Sequence, residues 1–372
     1  MFKNIFVKAA FYLFLTFENY TKILIMRGII PKKIKGFRDI DADLNQLKWK
    51  IIDAAKQVYK SYGFEHWDTP VLEYADCLGK YLPDADAVAE GVYSFKNPEL
   101  EPVYKSNGEE LRDEWNRVVM DNHHLTMRYD LTAPLARVYA ESLFASFLKN
   151  GVNEANAPIF RRYQFGPVYR FEEKLDPGRY REFWQLDFDS VGVKDVTADA
   201  EVCMILSDAL EAIGLERSSY LVKVNDRKIL KGLLGSLGFE NEEMEQNILR
   251  IIDKADKIGA KGVELELGNG RTDATSCAKI EGLKIDVTKI SEIVGFLESF
   301  ALPVSRNEVL KLLMSKPIEN SIYSEGLDEL TKINTVLEAL GFDEQRIIFD
   351  PTLVRGMAYY TGPIFEVVST QS

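Results

Sequence analysis

Between Arg161 and Asp189 the chain reads RRYQFGPVYRFEEKLDPGRYREFWQLDFD, which sets Arg161, Arg162, Arg170, Arg179 and Arg181 beside Glu172, Glu173, Asp187 and Asp189. Two strand-like stretches, around Ile159 to Glu172 and Arg181 to Val191, flank a polar turn with Pro177 and Gly178, the pattern of a hairpin. Alternate residues of a strand share a face, so Arg170 goes with Glu172, and Arg179, Arg181, Phe183, Gln185, Asp187 and Asp189 go together. A face of arginine, aromatic, amide and carboxylate is poor core material, because buried charge needs a partner. It suits a ligand: arginine grips phosphate oxygens with two nitrogens, an aromatic ring stacks on a base, and a carboxylate holds an ammonium. The same alternation also fits a solvated strand face with surface ion pairs.

Other chemistries lack raw material. The chain has three histidines (His66, His123, His124) and three scattered cysteines (Cys77, Cys203, Cys277), too few for a zinc site or a disulfide framework. The thiols are expected to be small buried hydrophobes in a reducing compartment, and His123 and His124 to sit in a solvated loop. Gly232, Gly235 and Gly238 follow no strand and suit helix packing or turns better than phosphate cradling. No phosphate-loop signature and no G-x-S-x-G elbow occurs. A net charge of −12 argues against a protein that holds nucleic acid along its whole surface, since that binding rests on many Lys/Arg–phosphate contacts.

With 372 residues, 46% hydrophobic and 28% charged, the chain has the length for two or three domains with ordinary cores. Residues 1–25 read as an N-terminal extension, with Met26 as an alternative start. Its apolar run Ala9 to Leu15 falls short of a membrane span. The stripe Leu44, Leu47, Ile51, Ala55, Val58 and Tyr62 predicts an amphipathic helix closed by Gly63. Strand-like runs follow at Glu65 to Leu72, where Pro70 favours an edge, and at Leu125 to Arg128; a helix follows from Ala133 to Leu148. Thr197 to Ile213 predicts a helix ended by Gly214, and Tyr220 to Val224 a strand. Strands followed by helices, without βαβ alternation, predict an α+β fold: an antiparallel sheet with helices packed on it. The expected division is a core over 26–225, a mostly helical domain over 226–346, and a return to strand character over 347–372.

The Arg161–Asp189 segment resembles motif 2 of class II aminoacyl-tRNA synthetases, an Arg-x-Glu, loop, Arg, Phe pattern. MRYDLTAPLARVYA at Met127 to Ala140 and TLVRGMAYYTGPIFE at Thr352 to Glu366 resemble the histidyl-tRNA synthetase family in particular. Gly36 to Asp39 resembles that family's opening segment, FEHWDTPVLE its motif 1 with Pro70 at the proline, and the stretch with VNDRK and IIDKADKIG its insertion domain. The resemblance covers Gly36 to Glu366 and implies the class II catalytic core with a helical insertion.

It implies that Arg170 holds the α-phosphate of ATP, Glu172 helps place the adenine, Phe183 stacks on it, and Arg179 reaches the outer phosphates. Asp130, Thr132, Gln185 and Asp189 would shape a histidine pocket with Tyr359 and Tyr360, and Arg355 would be the family's catalytic arginine. Each has a plainer alternative: Asp130 as a helix cap, Tyr359 and Tyr360 as core aromatics. Ala358 stands where the family usually has an acidic residue. The implied activity is histidine activation by ATP with Mg²⁺ and transfer to tRNA(His), in a cytoplasmic homodimer joined through motif 1, with no metal bound by side chains of the chain itself. Because the sequence stops at Ser372, before the family's glycine-rich strand, motif 3 arginine and anticodon-binding domain, a truncated synthetase is expected. The competing expectation is the synthetase-like regulatory subunit of ATP phosphoribosyltransferase, a catalytically inactive histidine sensor.

Overall fold

A computed structural model describes residues 32–75, 77, 91–105, 109–121, 123–151, 157–272, 277–300, 305–354 and 360–371, with the side chain of residue 256 left aside. Helix α1 (Ala42–Ser61) starts where Asp41 Oδ1 accepts a hydrogen bond from the Leu44 amide at 2.9 Å, and it buries Ile52, Ala55 and Tyr59. Leu44 and Leu47, expected in the core, are 47% and 52% exposed: the stripe exists, but this chain covers only its C-terminal half. The expected strand at Glu65 to Leu72 divides into β1 (Glu65–His66) and β2 (Leu72–Tyr74), with Pro70 between them, where it need donate nothing to a ladder.

Strand β3 (Ser94–Lys96) and β2 both pair antiparallel with β6 (His124–Met127), while β4 (Glu101–Pro102) and β5 (Met120–Asp121) pair with each other. His124 thus opens a strand instead of lying in a loop, and His123 meets the Tyr74 ring edge-on. Helix α2 spans Thr132–Asn150.

The hairpin is realised as β7 (Phe160–Tyr169) and β8 (Glu182–Val191), paired in register from Phe160↔Val191 to Tyr169↔Glu182. β1 runs parallel to β7 on its other edge. One face of the hairpin presents Tyr163, Phe165, Leu186 and Phe188 to Ala55 and Tyr59 of α1 and to Ile205 and Ala209 of α3 (Thr197–Ala212). Burying side chains of this size stabilises by about 1.5–3 kcal/mol each, and this fixes which face points inward. The opposite face carries Arg162, Gln164, Phe183, Gln185, Asp187 and Asp189.

A second sheet has the order β12-β9-β13, from β12 (Ile347–Phe349), β9 (Tyr220–Asp226) and β13 (Pro363–Ser369). Among the described residues six helices lie between β9 and β12: α4 (Arg227–Ser236), α5 (Glu242–Ile252), α6 (Ala255–Leu267), α7 (Val287–Glu298), α8 (Arg306–Ser315) and α9 (Ser321–Ala339). The short ladder of β10 (Gly270–Thr272) and β11 (Lys279–Glu281) interrupts them. One continuous core joins α3, β9, β12 and these helices through residues such as Cys203, Val222, Leu234, Ile293, Leu330 and Ile347. Gly232 serves packing: a Cβ there would come within 2.5 Å of the Tyr323 backbone nitrogen on α9. Among the cysteines, Cys203 is the buried hydrophobe expected, whereas Cys77 is half-buried and Cys277 exposed. No helix among the described residues is long and apolar enough to cross a membrane.

Candidate active site

The ladder register places Arg162 opposite Asp189, Gln164 opposite Asp187, Gly166 opposite Gln185 and Val168 opposite Phe183, all on the face turned away from α1. Phe183, Gln185, Asp187 and Asp189 therefore line one side of β8, as their alternation requires. At the turn end, Arg170 Nε donates to the Tyr129 carbonyl at 3.2 Å. Its guanidinium carbon lies 4.3 Å from the Tyr129 ring centre and 5.0 Å from that of Phe183. The arginine is thus held between two aromatic rings within cation–π distance, half-buried with its charge free to meet an anion.

Beyond it, Arg179 Nη1 stands 3.8 Å from Glu172 Oε2, and its side chain is 64% exposed. The hairpin turn is held by Arg181, whose Nη2 and Nε donate to the Glu172 carbonyl at 2.9 and 3.1 Å. The opening segment packs here: Gly36, at φ +86°, accepts from the Arg181 amide at 2.8 Å, and a Cβ on it would sit 2.6 Å from Arg181 Cγ. Only glycine fits that conformation and that approach. A cavity of about 600 Å³ opens between Gly91, Phe171, Glu172, Lys174 and Arg179.

The other end is closed and polar. Arg162 is 1% exposed; its Nη1 donates to Gln164 Oε1 at 2.7 Å and its Nη2 to the Leu131 carbonyl at 2.6 Å. Its Nε lies 3.1 Å from Asp189 Oδ2 at an angle that makes no hydrogen bond, so both atoms are buried without one. Gln185 Oε1 is likewise buried and unpartnered among the described residues. Burial raises the Asp189 carboxyl, with Arg162 pulling the other way. Asp187 is pushed up to about 7, first by burial and then by the charge of Asp189.

Arg128 fixes the loop that feeds this end. It is 4% exposed and donates to the carbonyls of Thr69 and Pro167, both at 2.8 Å. A Cβ at Gly166 would fall 2.3 Å from its Nη2, so that glycine makes room for the guanidinium. Asp130 follows, half-buried, with Oδ1 accepting from the Ala133 amide at 2.9 Å. Asp130 thus accepts from the first turn of α2 while sitting one residue before its N-cap, close to the capping alternative. Thr132, in the first turn of α2, is exposed. Arg355 and Tyr359 lie outside the described residues. Tyr360 is 38% exposed, not a core aromatic, and its carbonyl accepts from Arg227 Nη1 at 3.0 Å.

Sequence reading named Arg162 among the clustered charges but gave no role to it, to Arg128 or to Gln164. The signal was available for Arg162, since a strand that pairs back on itself must set some β7 residue against Asp189. For Arg128 there was none, because its acceptors are backbone carbonyls far along the chain.

The α+β arrangement, with an antiparallel arginine-bearing hairpin packed on α1, defines a class II aminoacyl-tRNA synthetase fold. The family model for histidyl-tRNA synthetase matches residues 98–372, and the chain belongs to that family. A histidine--tRNA ligase of Ruegeria sp. (strain TM1040) is 39% identical over 91% of this chain and 62% of its own length. One from Rhizobium leguminosarum bv. trifolii is 38% identical over 93% of this chain and 60% of its own. The chain thus spans about three-fifths of the length of these relatives. The crystal structure of histidyl-tRNA synthetase from Nostoc sp. PCC 7120 superposes with a TM-score of 0.66 at 25% identity, covering 92% of this chain and 65% of that one. A Bacillus halodurans protein described as an ATP phosphoribosyltransferase regulatory subunit/histidyl-tRNA synthetase shares the fold at a TM-score of 0.65 and 24% identity, over 91% of this chain and 73% of its own.

Proposed function

We propose that this chain carries the amino-acid-activation site of a histidine--tRNA ligase, joining histidine to ATP as histidyl-adenylate with release of pyrophosphate, before transfer to tRNA(His). The observation that supports it best is the single strand face that carries a buried polar cluster of Arg162, Gln164, Gln185 and Asp189 at one end and an arginine beside two aromatic rings at the other. In the reaction a histidine carboxylate oxygen attacks the α-phosphorus and the bond to the β-phosphate oxygen breaks. The nucleophile is already an anion and needs no base. The barrier is the approach of two anions and the charge that builds on phosphorus, so preorganised positive charge is what the protein must supply.

Arg170 meets the α-phosphate, and Arg179, free to swing, meets the outer ones. Glu172 and Phe183 place the adenine, Phe183 exchanging its contact with Arg170 for the base. Asp130, Thr132, Gln185 and Asp189 receive histidine, joined by Tyr359, Tyr360 and the catalytic Arg355. The described residues hold no cluster of three or more His, Cys, Asp or Glu that could seat a metal. Mg²⁺ would be carried on the phosphates, with Glu172 a carboxylate beside Arg179, and it would share in neutralising phosphate charge.

The same reading includes a catalytic core over 26–225, a helical insertion over 226–346, a returning segment over 347–372, and work in the cytoplasm as a homodimer. Leu44 and Leu47 support the dimer: with Ile51, Trp184 and Leu186 they line an apolar cavity of about 320 Å³ that this chain leaves open. The test is histidine-dependent exchange of pyrophosphate into ATP, with Arg355→Ala and Arg170→Ala as controls. Exchange that needs histidine and both arginines is expected. Histidine binding without exchange, in this chain and in one extended to the relatives' length, would overturn the catalytic reading in favour of the sensor.

A further inference from the structure

Tyr129 grips Arg170 with two different groups, its main-chain carbonyl and its ring. The carbonyl accepts from Arg170 Nε at 3.2 Å, and the ring centre lies 4.3 Å from the guanidinium carbon, closer than that of Phe183 at 5.0 Å. Among the described residues this is the one hydrogen bond that Arg170 donates. Because it uses Nε, it leaves Nη1 and Nη2 for two oxygens of a phosphate.

The main chain that carries Tyr129 is fixed on both sides. Before it, the Arg128 amide donates to the Val71 carbonyl at 2.9 Å, and the Arg128 carbonyl accepts from the Tyr169 amide at 3.0 Å. The buried Arg128 guanidinium adds its bonds to the Thr69 and Pro167 carbonyls. After it, Asp130 accepts from the Ala133 amide at the start of α2. Tyr169 ends β7 and leads straight into Arg170, so the residue that presents the guanidinium and the residue that receives it are tied through their neighbours as well as directly. Phe183 is the partner that a base takes away, since the proposed function has its ring exchange Arg170 for adenine. The Tyr129 ring then remains against the guanidinium.

We propose that Tyr129 is a positioning residue for Arg170, a fixed platform that keeps the guanidinium aimed at the α-phosphate after Phe183 has turned to the base. The proposal rests on the reading of Arg170 as the α-phosphate arginine and deepens it. A single hydrogen bond at Nε pins the guanidinium at one corner and leaves its plane free to tilt, whereas a ring against it fixes the plane. The attraction between ring and cation is electrostatic and needs the π face, not the hydroxyl. Positioning of this kind acts where charge builds on phosphorus, so its loss lowers the rate of the step more than the affinity for ATP.

The experiment is a double-mutant cycle on histidine-dependent exchange of pyrophosphate into ATP, run in the full chain and in the form extended to the relatives' length. Tyr129→Leu and Tyr129→Met fill the space without a ring and keep the carbonyl, and either serves if the other fails to fold. Each should lower kcat about tenfold while the KM for ATP changes by less than about twofold. Tyr129→Phe, which restores a ring, should recover most of that loss. Combined with Arg170→Ala, the variants without a ring should be no slower than Arg170→Ala alone, because a residue that acts through the guanidinium has nothing left to act on. Losses that multiply in the double variant, a raised KM at unchanged kcat, a wild-type rate without the ring, or a phenylalanine no better than leucine overturns the role of Tyr129 and leaves the activation reading standing. A wild type that exchanges in neither form overturns that reading, and this proposal with it.

Discussion

Two arginines in this molecule are equally buried and differ in what surrounds them. Arg306, at the start of α8, is 1% exposed, and each of its nitrogens has an acceptor: Nε gives to Asn334 Oδ1 at 2.8 Å, Nη1 to the Ile347 carbonyl and Nη2 to the Phe342 carbonyl, both at 2.7 Å. Arg162 has the same exposure, but its Nε points at a carboxylate without a bond, and unpartnered oxygens of Gln185 and Asp189 lie on the same face. Folding has satisfied the first guanidinium with main-chain carbonyls, so it acts as a rivet between α8, α9 and β12. The second is left part-satisfied, an arrangement that costs stability and persists where a ligand completes it. Burial alone says nothing about function; the inventory of leftover donors and acceptors does.

The comparison breaks most readily at Arg306. Arg306→Ala strands two main-chain carbonyls and Asn334 in a dry core, and it should cost about 3–5 kcal/mol of unfolding free energy, read by urea denaturation. If its midpoint moves by less than a fifth of that, the rivet reading is wrong. Next comes Arg170, whose guanidinium is stacked but not enclosed. Arg170→Ala should leave the urea midpoint nearly unchanged while lowering the histidine-activation rate by roughly 10²–10³-fold, the usual loss when one preorganised charge is removed from a transition state. Arg162→Lys sharpens the contrast from the other side. Lysine keeps the charge but cannot span Gln164, Leu131 and Asp189 together, so histidine affinity should fall about tenfold for a stability loss of only about 1–2 kcal/mol. The matching Arg306→Lys should destabilise at least as much and leave histidine affinity alone; equal effects of the two lysines on binding would erase the distinction.

Sequence patterning carried much of the site. Period-two alternation put Phe183, Gln185, Asp187 and Asp189 on one face before any coordinates, because the pleat allows nothing else. Which face pointed inward was not legible, since it is decided by α1 and α3, far away in the chain. The helical stripe from Leu44 to Tyr62 was legible as a stripe, yet Leu44 and Leu47 are exposed, because periodicity defines a face without saying what covers it. Arg162 read as one more charge beside Arg161; its neighbour pairs with Glu201 of α3 at 2.9 Å, on the opposite side of the strand. The run to Leu72 read as one strand because a proline marks an edge more strongly than it marks a break. Arg306 left no trace, for two of its partners are carbonyls that any sequence possesses.

The smallest expected effect concerns a third partly satisfied group, and it has a sign that can be worked out. Asp226 is fully buried at the junction of β9 and α4, where its Oδ1 accepts from the Lys228 amide at 2.9 Å and caps the helix. Its Oδ2 and Oε2 of Glu329 on α9 are both buried with no donor to either, and the two carboxyls act on each other closely enough that one proton held between them would satisfy both. Burial first, then Glu329, lifts Asp226 to about 8, while hydrogen bonds from Asp226 and Lys228 outweigh burial and lower Glu329, so the proton resides on Asp226. Unfolded, that carboxyl returns to the ordinary range near 4. The folded state therefore binds the extra proton between about pH 4 and 8, and stability falls as pH rises through that window. Asp226→Asn keeps the capping oxygen and donates Nδ2–H to Glu329 without needing a proton. Its melting temperature should match or fall slightly below wild type near pH 5.5 and exceed it at pH 9, so that the two curves cross. Parallel curves over that range would mean that the two oxygens share no proton, and that Asp226, like Arg306, is a group the fold has already satisfied.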